Sequence, residues 1–90
     1  MSATLAVRHQ VADYAAWRVV YDELEGLRQQ HGCTAKTLSH APSDANDLFL
    51  THTFPSVAQA EAFAGDPALK AGMARAGVSG PPRIEIFAGV

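Results

Sequence analysis

Three polar residues occupy positions where a folded chain would bury them. Arg28 falls near the centre of an apolar helical face, between Leu24 and His31, and His9 and His52 share the parity of the apolar residues in two predicted strands. A neutral imidazole in an apolar pocket can take up a proton, and a guanidinium can hold a carboxylate or an enolate. His9, His52 and Arg28 are therefore our catalytic candidates. The alternative is a hydrogen-bonded core role for each histidine, and for Arg28 a head group that reaches water at the helix end.

Aromatic residues recur at helical spacing close to these groups. Tyr14, Trp17 and Tyr21 share the inward face of the first predicted helix, and Phe63 and Met73 would close the apolar end of a cavity. Such side chains can stack on a flat substrate, and phenol and indole groups can donate hydrogen bonds to its oxygens. We expect these five residues to bind substrate if a cavity exists; otherwise they form core.

The sequence predicts neither a metal nor a cofactor. His9 and His52 both lie late in antiparallel strands, which places them about 10 Å apart, whereas a zinc ligand lies within about 2.1 Å of its ion. His31 and Cys33 have no predicted partner, and His40 is predicted on a surface strand. The chain also lacks the G-x-G-x-x-G, G-x-x-x-x-G-K-[ST] and H-E-x-x-H motifs.

The elements that position these residues follow from periodicity and capping signals. Alternation of apolar and polar residues predicts strands, and spacings of three and four behind a capping residue predict helices. The predicted strands are Thr4–Val11, Thr34–Ala41, Asp47–Phe54 and Arg83–Ala88, with a turn over residues 42–46 and a breaker at Gly80-Pro81-Pro82. The predicted helices run from the cap Asp13 through Gln30 to the stop Gly32, over Val57–Ala64 behind a Ser56/Gln59 capping box, and onward from Asp66-Pro67.

This β-α-β-β-α-β order predicts an α+β, ferredoxin-like fold in one domain, residues 1–90. Both crossovers place helices on one face of a four-stranded antiparallel sheet. The helix side is assigned the richest apolar sets: Leu5, Val7, Val11, Leu48, Leu50, Phe54, Ile84 and Ile86. The open face then carries Ala6, Arg8, Gln10, Phe49, Thr51, Thr53, Arg83, Glu85 and Phe87. We expect Arg8 to pair with Glu85, and this mixed face to be covered by a second copy in a sheet-against-sheet homodimer.

The composition of the chain limits the kinds of molecule that it is expected to bind. Seven Lys and Arg against nine Asp and Glu provide no basic surface for nucleic acid or anionic lipid. Apolar runs are far shorter than the roughly 20 residues needed to cross a bilayer, and residues 1–10 lack the apolar stretch of a secretory signal. Cys33 is the single cysteine, which rules out an internal disulfide and favours a cytoplasmic location.

Nearly the whole chain resembles small proteins of the dimeric α/β-barrel superfamily, including antibiotic-biosynthesis-monooxygenase-like and cyclase-like proteins. The resemblance rests on three motifs: Val11-x-Asp13-Tyr14-x-x-Trp17-x-x-x-Tyr21-Asp22, Arg28-x-x-x-Gly32, and Phe63-x-x-x-Pro67-x-Leu69-x-x-x-Met73-x-x-Ala76-Gly77-Val78-x-Gly80-Pro81. It implies a barrel dimer with a pocket between sheet and helices in each subunit.

Because fold does not fix function, two classes of activity stay open. The first is a cofactor-free oxygenase, cyclase or isomerase acting on a small, flat, oxygen-rich compound of polyketide or quinone type. His9 or His52 would take a proton, and Arg28 with Tyr21 would stabilise the enolate. The second is a non-catalytic dimeric module that binds a small metabolite or a protein. The haem-degrading branch of the superfamily needs an Asn, Trp and His trio that we do not find here, because Asn46 falls in the predicted turn and Trp17 on a helix.

Overall fold

A computed structural model describes residues 2–90 and contains a four-stranded antiparallel sheet in the order β2-β3-β1-β4. The strands are β1 (Ala3–Val11), β2 (Ala35–Ala41), β3 (Asp44–Phe54) and β4 (Val78–Ala88). The helices are α1 (Tyr14–Glu23), α2 (Glu25–Gln30), α3 (Val57–Ala64) and α4 (Pro67–Arg75). This confirms the α+β, ferredoxin-like fold. The first predicted helix is divided into α1 and α2, whereas α3 and α4 correspond to the two helices predicted after β3. Among residues 2–90 the longest helices are too short and too polar to reach across a bilayer.

The first predicted helix is interrupted at Leu24, between α1 and α2. An unbroken helix would use the Tyr21 carbonyl to accept from the Glu25 amide. Here that carbonyl accepts from Nη2 of Arg28 at 2.7 Å and from the Leu24 amide at 3.3 Å. A side chain inserted in the hydrogen-bond ladder is a recognised cause of a helix break. The predicted stop is confirmed, because Gly32 follows the helix end with a φ of 86°.

The β2–β3 hairpin has a shorter turn than predicted. β3 begins at Asp44 instead of Asp47, which reduces the turn to Pro42 and Ser43 and places Asn46 within the strand. Asp44 and Asn46 favour turns in general, but here their side chains bind local backbone and a neighbouring strand. Asp44 accepts from the Asn46 amide at 2.9 Å and from Gln10 at 3.1 Å. Oδ1 of Asn46 accepts from the Tyr14 amide at 2.8 Å and so caps α1.

β4 begins before the predicted breaker and runs through Gly80, Pro81 and Pro82. β4 pairs only with β1 and is an edge strand, where proline is tolerated because one side of the strand has no partner. The β1–β4 register shifts between Arg8 and Gln10, so residues 80–82 form a bulge beside His9. Gly80 adopts a φ of 70°, which a residue with a side chain would rarely accept.

The structure contains one of the two hydrogen bonds that define the predicted Ser56/Gln59 capping box. Oγ of Ser56 accepts from the Gln59 amide at 3.2 Å, as predicted. The Gln59 side chain instead donates to the His31 carbonyl at 3.3 Å, which joins the end of α2 to the start of α3. Asp66 caps α4 by accepting from the Ala68 amide at 2.8 Å.

The helices cover one face of the sheet and leave the other open. Six of the eight residues assigned to the helix side are buried and Ile86 packs against the core, whereas Ile84 is 39% exposed at the edge of the sheet. On the open face Phe49 and Phe87 are 44% and 56% exposed. The predicted Arg8–Glu85 pair is wrong, because the register sets Arg8 opposite Arg83. Arg8 instead binds Asp47 at 2.8 Å and Arg83 binds Glu85 at 3.0 Å.

Candidate functional site

Two connected spaces lie on the helix side of the sheet. The inner void, about 50 Å³, lies between the sheet and the helices, and its lining is almost wholly carbon. The outer cleft, about 610 Å³, lies between α4 and β4. Ala64, Met73 and Ile84 line both spaces, so the void ends against the cleft. Among these three, Met73 has the most flexible side chain.

The two histidines lie at opposite ends of the inner void. In the register of β1 and β3, Leu5 pairs with His52 and His9 pairs with Leu48, which separates the histidines by about 13 Å along the sheet. Both side chains are buried, and neither ring nitrogen of either residue has a hydrogen-bond partner in residues 2–90. Hydrogen-bonded core roles are therefore wrong for both. Leaving a buried polar group unpartnered costs about 1–3 kcal/mol, so these rings need an explanation other than stability.

Burial holds both imidazoles neutral. Removal from water lowers the pKa of His9 below its ordinary value of 6.5. The pKa of His52 falls to about 4 because of burial first, and then because Arg28 and Lys36 place positive charge near it. Since a general base works best with a pKa near the working pH, His9 is the stronger proton acceptor. His52 is suited to hydrogen bonding as a neutral ring.

Arg28 is buried, with 2% of the residue exposed, which contradicts a head group that reaches water. Its guanidinium donates from Nη2 to the Tyr21 carbonyl at 2.7 Å and from Nε to Glu25 at 3.2 Å. It also lies over the Tyr21 ring, with 4.2 Å from Cζ to the ring centroid. This group is a fixed positive charge in the wall of the void.

Glu25 and Lys36 complete this charged cluster, and the sequence gives no signal for them. Lys36 in β2 donates to the carboxylate of Glu25, which also binds Arg28. The Lys36 hydrogen bond is the main reason that the pKa of Glu25 falls to about 2, with Arg28 contributing. Glu25 thus stays ionised and holds Arg28 in place. Lys36 and Glu25 are 11 residues apart in the sequence, so their contact is evident only in the folded chain.

The predicted aromatic residues form one continuous stack along the void. Ring centroids are 6.0 Å apart for Tyr14 and Trp17, 4.8 Å for Trp17 and Tyr21, and 6.4 Å for Tyr21 and His52. Phe63 continues the series at 5.4 Å from His52. His9 contacts the other side of Trp17 edge-on at 5.7 Å. All but Tyr14 line the void itself.

Within residues 2–90 no three His, Cys, Asp or Glu side chains lie close enough to share an ion. His31 does have a partner, contrary to expectation, because its Nε2 lies 2.8 Å from Asp66. His40 is exposed on β2, as predicted. Cys33 is half-buried and donates from Sγ to the Ala35 carbonyl at 3.3 Å. Asn46 caps α1 through Tyr14, so it is not available as a ligand-binding partner of Trp17.

The sheet order and the helix-covered face match the fold of solved structures described as antibiotic biosynthesis monooxygenase-like proteins. No protein-family model matches the chain, and neither does any curated protein. Among solved structures, SnoaB, a cofactor-independent oxygenase from Streptomyces nogalater, is 13% identical with a TM-score of 0.75, over 99% of this chain and 93% of SnoaB.

Two further structures agree with that assignment of the fold. Rv0793 from Mycobacterium tuberculosis is 16% identical with a TM-score of 0.76, over 100% of this chain and 96% of its own. A proposed antibiotic biosynthesis monooxygenase from Bordetella bronchiseptica is 13% identical with a TM-score of 0.80, over 99% and 97%. At such low identities the likeness establishes the fold alone.

Proposed function

We propose that this protein is a cofactor-free oxygenase acting on a flat, oxygen-rich compound of polyketide or quinone type. The observation that carries the proposal is the pair of neutral histidines, His9 and His52, whose ring nitrogens are buried without partners at the two ends of an aromatic-walled void. A buried neutral base in an apolar site can remove a proton from carbon, and a fixed cation in the wall of the same site lowers the energy of the resulting carbanion. The fold shared with SnoaB, a cofactor-independent oxygenase, supports the same class of reaction. The single cysteine fits a reducing, cytoplasmic setting.

In the proposed reaction His9 removes a proton from a methylene carbon flanked by carbonyl or aryl groups. The resulting enolate passes one electron to dioxygen, and the radical pair combines to form a C–O bond. Return of the proton from His9 gives a hydroperoxide, which loses water as its O–O bond and second C–H bond break. A CH₂ group and O₂ thus become C=O and H₂O, with four electrons moving from carbon to oxygen. No separate reductant is needed.

The opposite end of the void supplies charge stabilisation. Arg28 lies at the His52 end, held by Glu25 and the Tyr21 carbonyl. His9 lies about 13 Å from His52 along the sheet, so this end of the void acts on the enolate through its electric field and not by contact. The guanidinium charge of Arg28 lowers the cost of the negative charge in this poorly solvated site. Neutral His52 lines the same wall of the void.

The substrate must approach His9 from the outer cleft. The void of about 50 Å³ is too small for a ring, since benzene occupies an engineered apolar cavity of about 150 Å³. The cleft of about 610 Å³ is within the size range of ligand sites, about 300–1,000 Å³. Rotation of Met73, the flexible residue between the two spaces, would let the reacting edge of the ring approach His9 past the β4 bulge.

The test is oxygen uptake with a panel of anthrones and hydroxyquinones as substrates. We expect His9→Gln to lower kcat/KM about 100-fold, within the range for loss of a general base. His52→Gln should have a smaller effect, because the low pKa of His52 makes it a poor base at neutral pH. The activity of the wild-type protein should decline on the acid side as His9 becomes protonated. His40→Gln, at an exposed histidine of β2, is the matched control and should be unchanged.

The second candidate is a non-catalytic module that binds a small metabolite or a protein. The small volume of the void favours this candidate. It would replace the oxygenase proposal if no compound of the panel were turned over. If His9→Gln and His52→Gln both consumed oxygen at the wild-type rate, the proposed roles of the two histidines would be refuted.

We propose further that the open sheet face is covered by a second copy of the chain. Phe49 and Phe87 lie exposed among charges of both signs, with Arg8–Asp47 and Arg83–Glu85 pairs beside them. A two-fold contact brings each positive group of one copy near the negative groups of the other. Exposed aromatic rings surrounded by polar groups are typical of interface centres.

Phe87→Glu should shift the protein from dimer to monomer in analytical ultracentrifugation at micromolar concentration, because it replaces an exposed apolar ring of the proposed contact face with a charge. Phe49→Glu should do the same. Val19→Glu is the control, since Val19 is 59% exposed on α1, away from the sheet face. A wild-type protein that sediments at the mass of one chain would contradict the dimer.

A further inference from the structure

We propose that the inner void is a binding site for dioxygen, separate from the place where the organic substrate binds. The inference rests on the proposed oxygenase function and assigns the two spaces of the site to its two substrates. The outer cleft binds the ring compound, and the inner void binds O₂.

Size is the first argument. A volume of about 50 Å³ is about a third of the cavity that accommodates benzene, yet it exceeds the roughly 10–15 Å³ that one water-sized particle requires. A diatomic molecule fits between these limits. The void is therefore a poor site for the organic substrate and a suitable one for O₂.

Polarity is the second argument. A buried water needs two to four polar partners, and apolar cavities without them stay dry and bind xenon or other apolar guests. The void runs along the layer formed by Val7, Leu50 and Ile84, which the strand register places side by side. The ring nitrogens of His9 and His52 are at its ends, but these atoms have essentially no accessible surface. Arg28 also lines the void, and its guanidinium donates to Glu25 and to the Tyr21 carbonyl. Water thus gains no hydrogen bonds there, whereas O₂ needs none.

Position is the third argument. The void ends at Met73, Ala64 and Ile84, where the outer cleft begins. A gas molecule held there would lie between the buried aromatic stack and a carbanion formed next to His9. Electron transfer and C–O bond formation need the two reactants in contact, and holding both in place removes much of the entropy cost of their meeting.

The experiment uses xenon and O₂ as probes of the whole wild-type protein. Under xenon pressure, methyl groups of Leu5, Val7 and Leu50 should show saturable NMR shifts, while the exposed Val19 and Val57 should not. Dissolved O₂ should broaden the same inner methyl signals more than the surface ones. Shifts spread evenly over surface and core, or water found in the void by water-to-methyl NOE, would overturn the proposal.

Variants that fill the void separate this proposal from the proposed function. Val7→Leu and Leu50→Phe add carbon to the central layer, and two variants are used because either one could overpack the core. We expect each folded variant to lose the xenon response and to raise the KM for O₂ at least tenfold, with the KM for the ring compound nearly unchanged. Unchanged KM for O₂ would refute the gas site while leaving the oxygenase intact. Saturable xenon binding in a protein that oxidises no substrate would instead remove the oxygenase and leave a gas-binding void.

Discussion

Replacing Arg28 by alanine should lower the free energy of unfolding by about 2–5 kcal/mol, the range for truncating a large buried side chain to alanine. Arg28 is buried, and its loss would leave the Tyr21 carbonyl without the partner that now lies 2.7 Å away. It would also remove the cation that lies over the Tyr21 ring and open space under the sheet. The measurement is chemical denaturation at neutral pH.

Controls separate burial from charge in this prediction. Arg18→Ala removes an arginine that binds Asp22 on the helix surface and should change stability by less than about 1 kcal/mol. Arg28→Met fills most of the space without the charge and should lose less stability than Arg28→Ala. An Arg28→Ala protein as stable as Arg18→Ala would show that the cluster of Glu25, Arg28 and Tyr21 does not form in solution.

Stability should also fall by about 3 kcal/mol as the pH is lowered from 6.5 to 4. The folded state holds His52 with a pKa of about 4, whereas the unfolded chain restores the ordinary value of 6.5. The unfolded state therefore binds more protons in this window, so stability is full above pH 6.5 and is lost on acidification. A tenfold difference in proton affinity is worth about 1.4 kcal/mol, which gives the expected magnitude. Burial lowers the pKa of His9 in the same direction and adds to the effect.

Denaturation midpoints in a series of buffers test this dependence. His52→Phe preserves a ring beside Tyr21 and Phe63 and should flatten the profile between pH 6.5 and 4, apart from the share of His9. Protonation of Glu25 lowers stability in a more acidic range, between its ordinary pKa of 4.5 and its folded pKa of about 2. The effects of the two groups can therefore be told apart. A His52→Phe profile as steep as that of the wild type would refute the assignment to His52.

Local pattern was sufficient to predict the fold and the inward direction of the site residues. Alternation placed His9 and His52 on the helix side, and helical spacing placed Arg28 among apolar neighbours; all three are buried. Helix caps at Asp13, Ser56 and Asp66 were also correct, because capping depends on residues close in sequence.

Features that depend on side-chain contacts formed only in the folded chain were missed. The partner of Arg8 is Asp47, which only the register of β1 and β3 decides. The helix breaks at Leu24 because the side chain of Arg28, four residues later, donates to the Tyr21 carbonyl. The Lys36–Glu25 contact joins two elements whose packing no periodicity specifies. Propensity also placed Asn46 and the prolines of β4 in loops, although tertiary pairing includes them in strands.

The prolines of β4 limit how this protein can associate. An exposed edge strand normally offers a row of amide donors onto which another chain can add a strand. Pro81 and Pro82 lack those donors, and the bulge that contains them disrupts the spacing of the carbonyls. A continuous sheet across two molecules is therefore blocked at this edge. The bulge at residues 80–82, which shapes the space beside His9, thus also prevents growth of the sheet from molecule to molecule at this edge.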